Sequence, residues 1–121
     1  MALERRIAGK ARELVQRHRQ EDDEHKQETE YLARCESLPI LLRSAGLAQT
    51  VVYLQHKQPR IYDDLQEQLR ALDVLQGGLS ERCTDPRLPL AQYRTLSEIT
   101  MTVAVWNKRM AQALLRKKGE K

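Results

Sequence analysis

Apolar side chains recur along most of the chain at steps of three and four residues, the spacing that places them on one face of a helix. The first such stripe predicts a helix over roughly residues 2 to 19. Its inward positions are Leu3, Ile7, Ala11, Leu14, Val15 and His18. The helical period continues to the end of the chain, so the sequence predicts an all-α fold.

A second helix is predicted to begin in the acidic segment "QEDDE" and to carry Tyr31, Leu32, Cys35 and Leu38 inward. It should bend near Pro39, because proline lacks a backbone donor and clashes with the preceding turn. Gly46 follows the last residue of this helix, where a glycine can adopt the left-handed conformation that ends a helix. The pattern leaves open whether the first two helices form one continuous rod.

A short third helix after Gly46 should face the core with Leu47, Thr50, Val51 and Leu54. Pro59 suits the first turn of a fourth helix, which runs through Ile61 and Leu65 to Leu75 or Gln76 and stops at Gly77 and Gly78. Residues 79 to 89 are predicted to be the longest loop.

The last helix has two possible starts, near Leu90 or at a capping box formed by Thr95 and Glu98. Its predicted inward positions are Leu96, Ile99, Val103, Trp106, Met110 and Ala113. We therefore expect a compact bundle of about five helices with a helix-turn-helix-like corner at Gly46. The 121 residues fit one domain covering 1 to 121, with a basic, frayed tail from about residue 117.

Charge is unevenly distributed along the chain, although the formal net charge is only +4. Six acidic residues lie between positions 21 and 30, whereas both ends are basic. The basic residues are Arg5, Arg6, Lys10, Arg12, Arg17 and Arg19 at the start and Lys108, Arg109, Arg116, Lys117, Lys118 and Lys121 at the end. This segregation favours a polyanionic partner, or contacts between copies that pair acid with base; a solvated surface without specific partners is the alternative.

No stretch of about 18 apolar residues is present, and the N-terminus lacks the apolar core of a secretory signal. We expect a cytoplasmic protein without a membrane contact. Cys35 and Cys83 lie far apart, without a nearby histidine pair or second cysteine, so they are predicted to be reduced, structural thiols.

Signals of catalysis are few: the sequence contains no glycine-rich phosphate loop and neither a G-x-S-x-G nor an H-E-x-x-H motif. Asp63 and Asp64 are adjacent in a predicted helix and diverge by about 100°, which makes them poor partners in acid–base chemistry. A weak metal candidate consists of His18, Asp22 and His25 with Glu28 one turn further, although an exposed polar face is the commoner explanation. We expect no enzymatic activity, no cofactor and no metal.

The corner at Gly46 is similar to the two-helix elbow of DNA-reading regulators. In such an elbow the position four residues before the glycine should be small, and here it is Leu42. The following helix offers only Gln49, Tyr53 and Gln55 as outward polar groups for reading bases. A packing corner is therefore favoured, and a DNA-binding regulator remains an alternative.

Two spaced motifs resemble a known family, the small α-helical subunit of the Cmr effector complex in the type III-B CRISPR RAMP module. The first runs from residue 38 to 53 and is similar to "LPxLIRxNGLxQTLAF"; the second is similar to "Y…L…E…W-x-K-R-x-A". They comprise Leu38, Pro39, Ile40, Leu41, Leu42, Arg43, Gly46, Leu47, Gln49, Thr50, Val51, Val52 and Tyr53, and then Tyr62, Leu65, Tyr93, Leu96, Glu98, Trp106, Lys108, Arg109 and Ala111. The chain departs from the pattern at Ala45, where Asn is common, and at Asn107, which stands where the pattern usually has an apolar residue between Trp106 and Lys108.

The resemblance implies a subunit that is not the nuclease of a crRNA-guided ribonucleoprotein. Several copies stack beside the backbone and large subunits and line the groove that holds target RNA paired with the guide. We predict nonspecific backbone contacts from Lys57, Arg60, Lys108, Arg109, Arg116 and Lys117, of which only Lys108 and Arg109 fall on motif positions. A protein-interaction scaffold without nucleic-acid contact remains a second alternative.

Overall fold

The computed structural model describes residues 2–21 and 26–115, and every regular element within these ranges is an α-helix. The helices are α1 (Ala2–Glu21), α2 (Lys26–Ala45), α3 (Leu47–Lys57), α4 (Pro59–Ala71), α5 (Leu79–Cys83) and α6 (Leu90–Leu114). The all-α prediction is confirmed, with one helix more than expected in the described residues. The link between α1 and α2 lies outside them, so the question of a continuous rod stays open.

The long helix α6 packs against α1, α2 and α4, and α3 packs against α2, α4 and α5. Helix α4 runs antiparallel to α1, because Arg6 bonds to Ala71 whereas His18 bonds to Asp64. The inward positions predicted for the first three helices are buried, with the exception of the exposed Leu3. None of the described helices is long and apolar enough to cross a membrane.

The corner between α2 and α3 forms as predicted. Gly46 has φ 83°, in the left-handed region that favours glycine, and precedes the first residue of α3. The Thr50 hydroxyl donates to the Leu41 carbonyl across the corner at 3.3 Å. Pro39 lies inside α2, which continues through it to Ala45. Pro59 occupies the first turn of α4, where its missing backbone donor costs no helical hydrogen bond.

The prediction that α4 runs to Leu75 or Gln76 was wrong. The helix ends at Ala71, and the chain turns at Asp73, whose φ of 61° is left-handed. Leu72 and Leu75 are buried all the same, because the turn folds their side chains back onto the core. Apolar periodicity alone therefore overestimated the length of the helix.

The predicted loop over residues 79 to 89 contains the short helix α5. Side chains of α4 satisfy two of its first amide groups: Gln66 Oε1 accepts from the Leu79 amide at 2.9 Å, and the Tyr62 hydroxyl oxygen accepts from the Ser80 amide at 3.0 Å. Such amides lack partners within a helix, so these tertiary contacts stabilise a helix of only five residues.

Helix α6 begins at Leu90, directly after Pro89, so the later of the two predicted starts is wrong. The Thr95 hydroxyl donates to the Ala91 carbonyl instead of capping a helix. The predicted inward seam is shifted by about one position: Leu96 and Val103 are buried, whereas Ile99, Trp106 and Met110 are half-buried and Ala113 is exposed. The core instead receives Thr100, Ala104, Asn107 and Ala111.

Candidate nucleic-acid interface

The predicted RNA-contacting cations lie on three helices. Lys57 is the exposed last residue of α3, and Arg60 is exposed in the first turn of α4. Lys108 is half-buried and Arg109 exposed on α6. Arg116 and Lys117, with the predicted tail, lie outside the described residues.

The start of α4 and the last turns of α6 lie at the same end of the bundle. Helix α6 reaches the middle of α2, where the Gln112 amide donates to Glu36 at 2.8 Å. Five residues earlier in α2, the Tyr31 ring packs on the ring of His18, with centroids 4.0 Å apart. Arg60 in turn contacts His18. The fold thus brings Lys57 and Arg60 to the end of the bundle toward which Lys108 and Arg109 lead.

Arg109 is positioned by an aromatic neighbour. Its guanidinium carbon lies 5.3 Å from the centre of the Trp106 ring, within the range of a cation–π interaction. This contact orients the guanidinium while its N–H donors remain exposed to solvent. A planar, oriented guanidinium suits recognition of phosphate, because it offers two parallel donors.

Arg60 has a different environment, because it belongs to a chain of hydrogen bonds that leads into the core. Its guanidinium contacts His18 Nδ1 at 2.5 Å, and His18 Nε2 lies 2.8 Å from Asp64 Oδ2. An arginine only donates, so Nδ1 accepts in this contact and Nε2 carries the proton shared with Asp64. The Tyr31 hydroxyl donates to the same Asp64 oxygen at 2.7 Å. Burial raises the pKa of Tyr31 well above its ordinary value, which keeps the hydroxyl a donor.

A second polar pair lies deeper in the core, between α4 and α6. The side-chain amides of Gln68 and Asn107 exchange two hydrogen bonds of 2.7 and 3.0 Å, and both residues are buried. Asn107 departs from the family pattern, and in the structure it supplies the hydrogen-bond partners of the buried Gln68 amide. The sequence contained a signal for this pair, because Gln68 follows Leu65 and Asn107 follows Val103 at helical spacing on inward faces.

Sequence reasoning missed the buried role of Asp64. The sequence interpretation considered Asp63 and Asp64 only as a poor acid–base pair. Asp64 is 8% exposed and has a histidine and a tyrosine as partners, whereas Asp63 is exposed. The signal was the position of Asp64, three residues after the buried Ile61 and one before the buried Leu65.

The described residues contain no group of three or more His, Cys, Asp or Glu side chains placed to hold a metal ion. Of the weak metal candidate, His18 has both ring nitrogens engaged, and Asp22 and His25 lie outside the described residues. Cys35 and Cys83 are unpaired and buried. Burial raises the pKa of Cys35 to about 12 and that of Cys83 to about 11, so neither forms a reactive thiolate near neutral pH.

The corner at Gly46 lacks the open helix start that a DNA reader needs. In such readers the N-terminal residues of the second helix contact base edges. Here the Ala48 amide, in the first turn of α3, donates to the Tyr93 hydroxyl of α6 at 3.0 Å. The first turn of α3 is therefore covered by another helix, and Leu42 is buried against the corner.

These features define a small all-α protein with internally satisfied polar groups and oriented surface cations. The model of the CRISPR-associated protein family Cas_Cmr5 matches residues 3–114, and the chain belongs to this family. The structure is also similar to the crystal structure of a CRISPR-associated Cmr5 family protein from Thermus thermophilus. The TM-score is 0.73 at 28% identity, over 94% of this chain and 98% of that chain. No curated protein matches the chain. The resemblance to the small subunit of the type III-B module is thereby confirmed.

Proposed function

We propose that this chain is a non-catalytic small subunit of a crRNA-guided type III-B Cmr effector complex in the cytoplasm. Several copies stack along the complex, beside the backbone and large subunits, and line the groove for target RNA paired with the guide. The observation that carries the proposal is the match of the Cas_Cmr5 model, which extends over nearly the whole chain.

The arrangement of charged groups supports a passive contact with RNA. Guided complexes leave sequence recognition to base pairing, so their protein subunits need only follow the phosphate backbone. Lys57 and Arg60 provide cations at one end of the bundle, and Lys108 and Arg109 lie on the part of α6 that leads toward this end, with Arg109 oriented on Trp106. Among the described aromatic residues only Tyr53 is exposed, and Trp106 is half-buried, which gives little surface for stacking on bases.

The two alternatives have less support. A DNA-binding regulator would need the first turn of α3 for base contacts, and Tyr93 covers it. A scaffold without nucleic-acid contact gives no role to the cations on α3, α4 and α6. Nucleic-acid binding measurements distinguish both alternatives from the proposal, because a regulator would prefer one DNA duplex and a scaffold would bind neither DNA nor RNA.

Affinity purification from the native cell tests the proposal. The tagged chain should retain several larger protein subunits together with short guide RNAs. A matched preparation treated with ribonuclease shows whether the proteins remain associated without accessible RNA. Purification of the chain alone, or only with a specific DNA fragment, would contradict a role in a guided complex.

A further inference from the structure

The six basic residues of α1 divide into two groups with different environments. Arg6, Lys10 and Arg17 point toward α4: Arg6 donates to the Ala71 carbonyl at 2.8 Å, and Lys10 and Arg17 bind Glu67 at 2.8 and 3.1 Å. These three side chains hold α1 against α4. Lys10 and Arg17 thus neutralise Glu67, and Lys10 also pairs with Glu13 at 2.6 Å.

The other group consists of Arg5, Arg12 and Arg19, all exposed. Within the described ranges 2–21 and 26–115 none of the three has a hydrogen-bond or ion-pair partner. Their described neighbours one turn away in α1 are uncharged: Ala2, Ala8, Gly9, Val15 and Gln16. Asp22 and Asp23, one turn after Arg19, lie outside the described residues. Glu13, the acidic residue of α1 with ion pairs among the described residues, binds Lys10 and Arg17 of the first group instead.

The three arginines are spaced seven residues apart, which returns each to the same side of the helix with a drift of about 20° per step. Seven residues rise about 10.5 Å, so the row extends about 21 Å along α1. The row is linear and regularly spaced, and its arginines carry no neutralising partner among the described residues. A polymer with regularly repeated negative charges is the complementary partner for such a surface.

We propose that Arg5, Arg12 and Arg19 form a phosphate-binding row that contacts the backbone of RNA along α1, in addition to the cations on α4 and α6. Arginine suits phosphate, because its planar fork donates two parallel hydrogen bonds to the phosphate oxygens. The row reads no sequence, since it offers no group to base edges. This inference rests on the proposed function, because the RNA is that of the guided complex.

The test compares three full-length variants in titrations with a labelled RNA duplex of about 20 base pairs at several salt concentrations. In R5Q/R12Q/R19Q the three phosphate contacts are removed, and the slope of log affinity against log salt should fall in magnitude by about 2 to 3. The charge-matched control R43Q/R82Q/R94Q removes three exposed arginines from α2, α5 and the start of α6, none of which forms an ion pair with a carboxylate among the described residues, and it should retain the parental slope. In R5K/R12K/R19K the charge and the slope remain, with weaker affinity because the bidentate contact is lost.

Several outcomes would overturn the phosphate-binding row. Equal loss of slope in R5Q/R12Q/R19Q and its control would show a general charge effect. RNA binding by R5Q/R12Q/R19Q that equals that of the parent would exclude α1 from the RNA contact. If that variant binds RNA normally but no longer co-purifies with larger subunits, the row contacts protein instead. A loss of slope in K108A/R109A without one in R5Q/R12Q/R19Q would reject the row and leave the proposed function standing. If the parent binds no RNA duplex at any salt concentration, both the phosphate-binding row and the proposed function fail.

The melting temperatures of R5Q/R12Q/R19Q and R5K/R12K/R19K should equal that of the parent, because the substituted side chains have no structural partner among the described residues.

Discussion

Asp64 Oδ2 accepts hydrogen bonds from His18 at 2.8 Å and from Tyr31 at 2.7 Å. One buried oxygen thereby joins α4 to α1 and α2. The contact continues outward to Arg60, so the position of a predicted RNA-contacting cation depends on a carboxylate in the core.

Replacing Asp64 with Ala should strongly destabilise the protein. The substitution leaves the His18 and Tyr31 donors buried without their acceptor, and the loss of a buried charged partner typically costs about 3 kcal/mol or more. Urea unfolding followed by circular dichroism measures the change. The neighbouring substitution Asp63→Ala is the control, because Asp63 is exposed and should change the free energy of unfolding by less than about 0.5 kcal/mol. Equal stability of the two variants would contradict the role of Asp64.

The buried amide pair predicts strong coupling between two substitutions. Gln68→Leu alone leaves Asn107 without its partner and should cost about 1 to 3 kcal/mol, and Asn107→Leu should do the same to Gln68. The double variant removes both polar groups and should be closer to the parent than either single variant. A double-mutant cycle in urea measures the coupling; additive losses would show that the two amides do not depend on each other.

How far the sequence predicted the fold depended on whether each signal was local. The face of α3, the left-handed Gly46 and the first turn at Pro59 follow from helical period, glycine freedom and proline geometry, and each was predicted. The end of α4, the helix α5 and the shifted face of α6 depend on contacts between distant residues. For example, the backbone amides of Leu79 and Ser80 donate to the side chains of Gln66 and Tyr62, and no local sequence pattern predicts these contacts.

The candidate interface shows the same division. Sequence located Lys108 and Arg109 through the family motif and Lys57 and Arg60 through charge alone. It did not distinguish the arginines of α1 that bind α4 from those that face solvent, because that distinction depends on where Glu67 and Ala71 lie in space. It also assigned no role to Asp64, since a buried carboxylate becomes evident only with its partners.

Glu67 makes part of the stability sensitive to acid. Hydrogen bonds from Arg17 first, and then from Lys10, lower the pKa of Glu67 from 4.5 to about 2. The depressed value means that the contribution is fully present above the unfolded pKa of about 4.5 and is lost as the pH falls toward 2. The parent should therefore exceed Glu67→Gln in melting temperature above pH 5, and the difference should disappear near pH 2. Glu98→Gln, which removes an exposed carboxylate from α6, is the control. If Glu67→Gln and Glu98→Gln differ from the parent by the same amount at every pH, the assignment to Glu67 is contradicted.

Lys108 and Arg109 should contribute to RNA binding without sequence preference. Replacing both with Ala removes two cations, so affinity for unrelated RNA sequences should weaken equally and the salt slope should decrease in magnitude by about 2. Trp106→Leu separates charge from orientation: it keeps both cations and the slope, but it removes the ring under Arg109 and should weaken affinity by a smaller factor. Fluorescence anisotropy at several salt concentrations measures both effects. The charge-matched control R43Q/R94Q should bind as the parent does, because these arginines lie on α2 and at the opposite end of α6. Unchanged affinity and slope in K108A/R109A would exclude this part of α6 from the RNA contact, whereas a preference that differs between RNA sequences would show that the residues read bases.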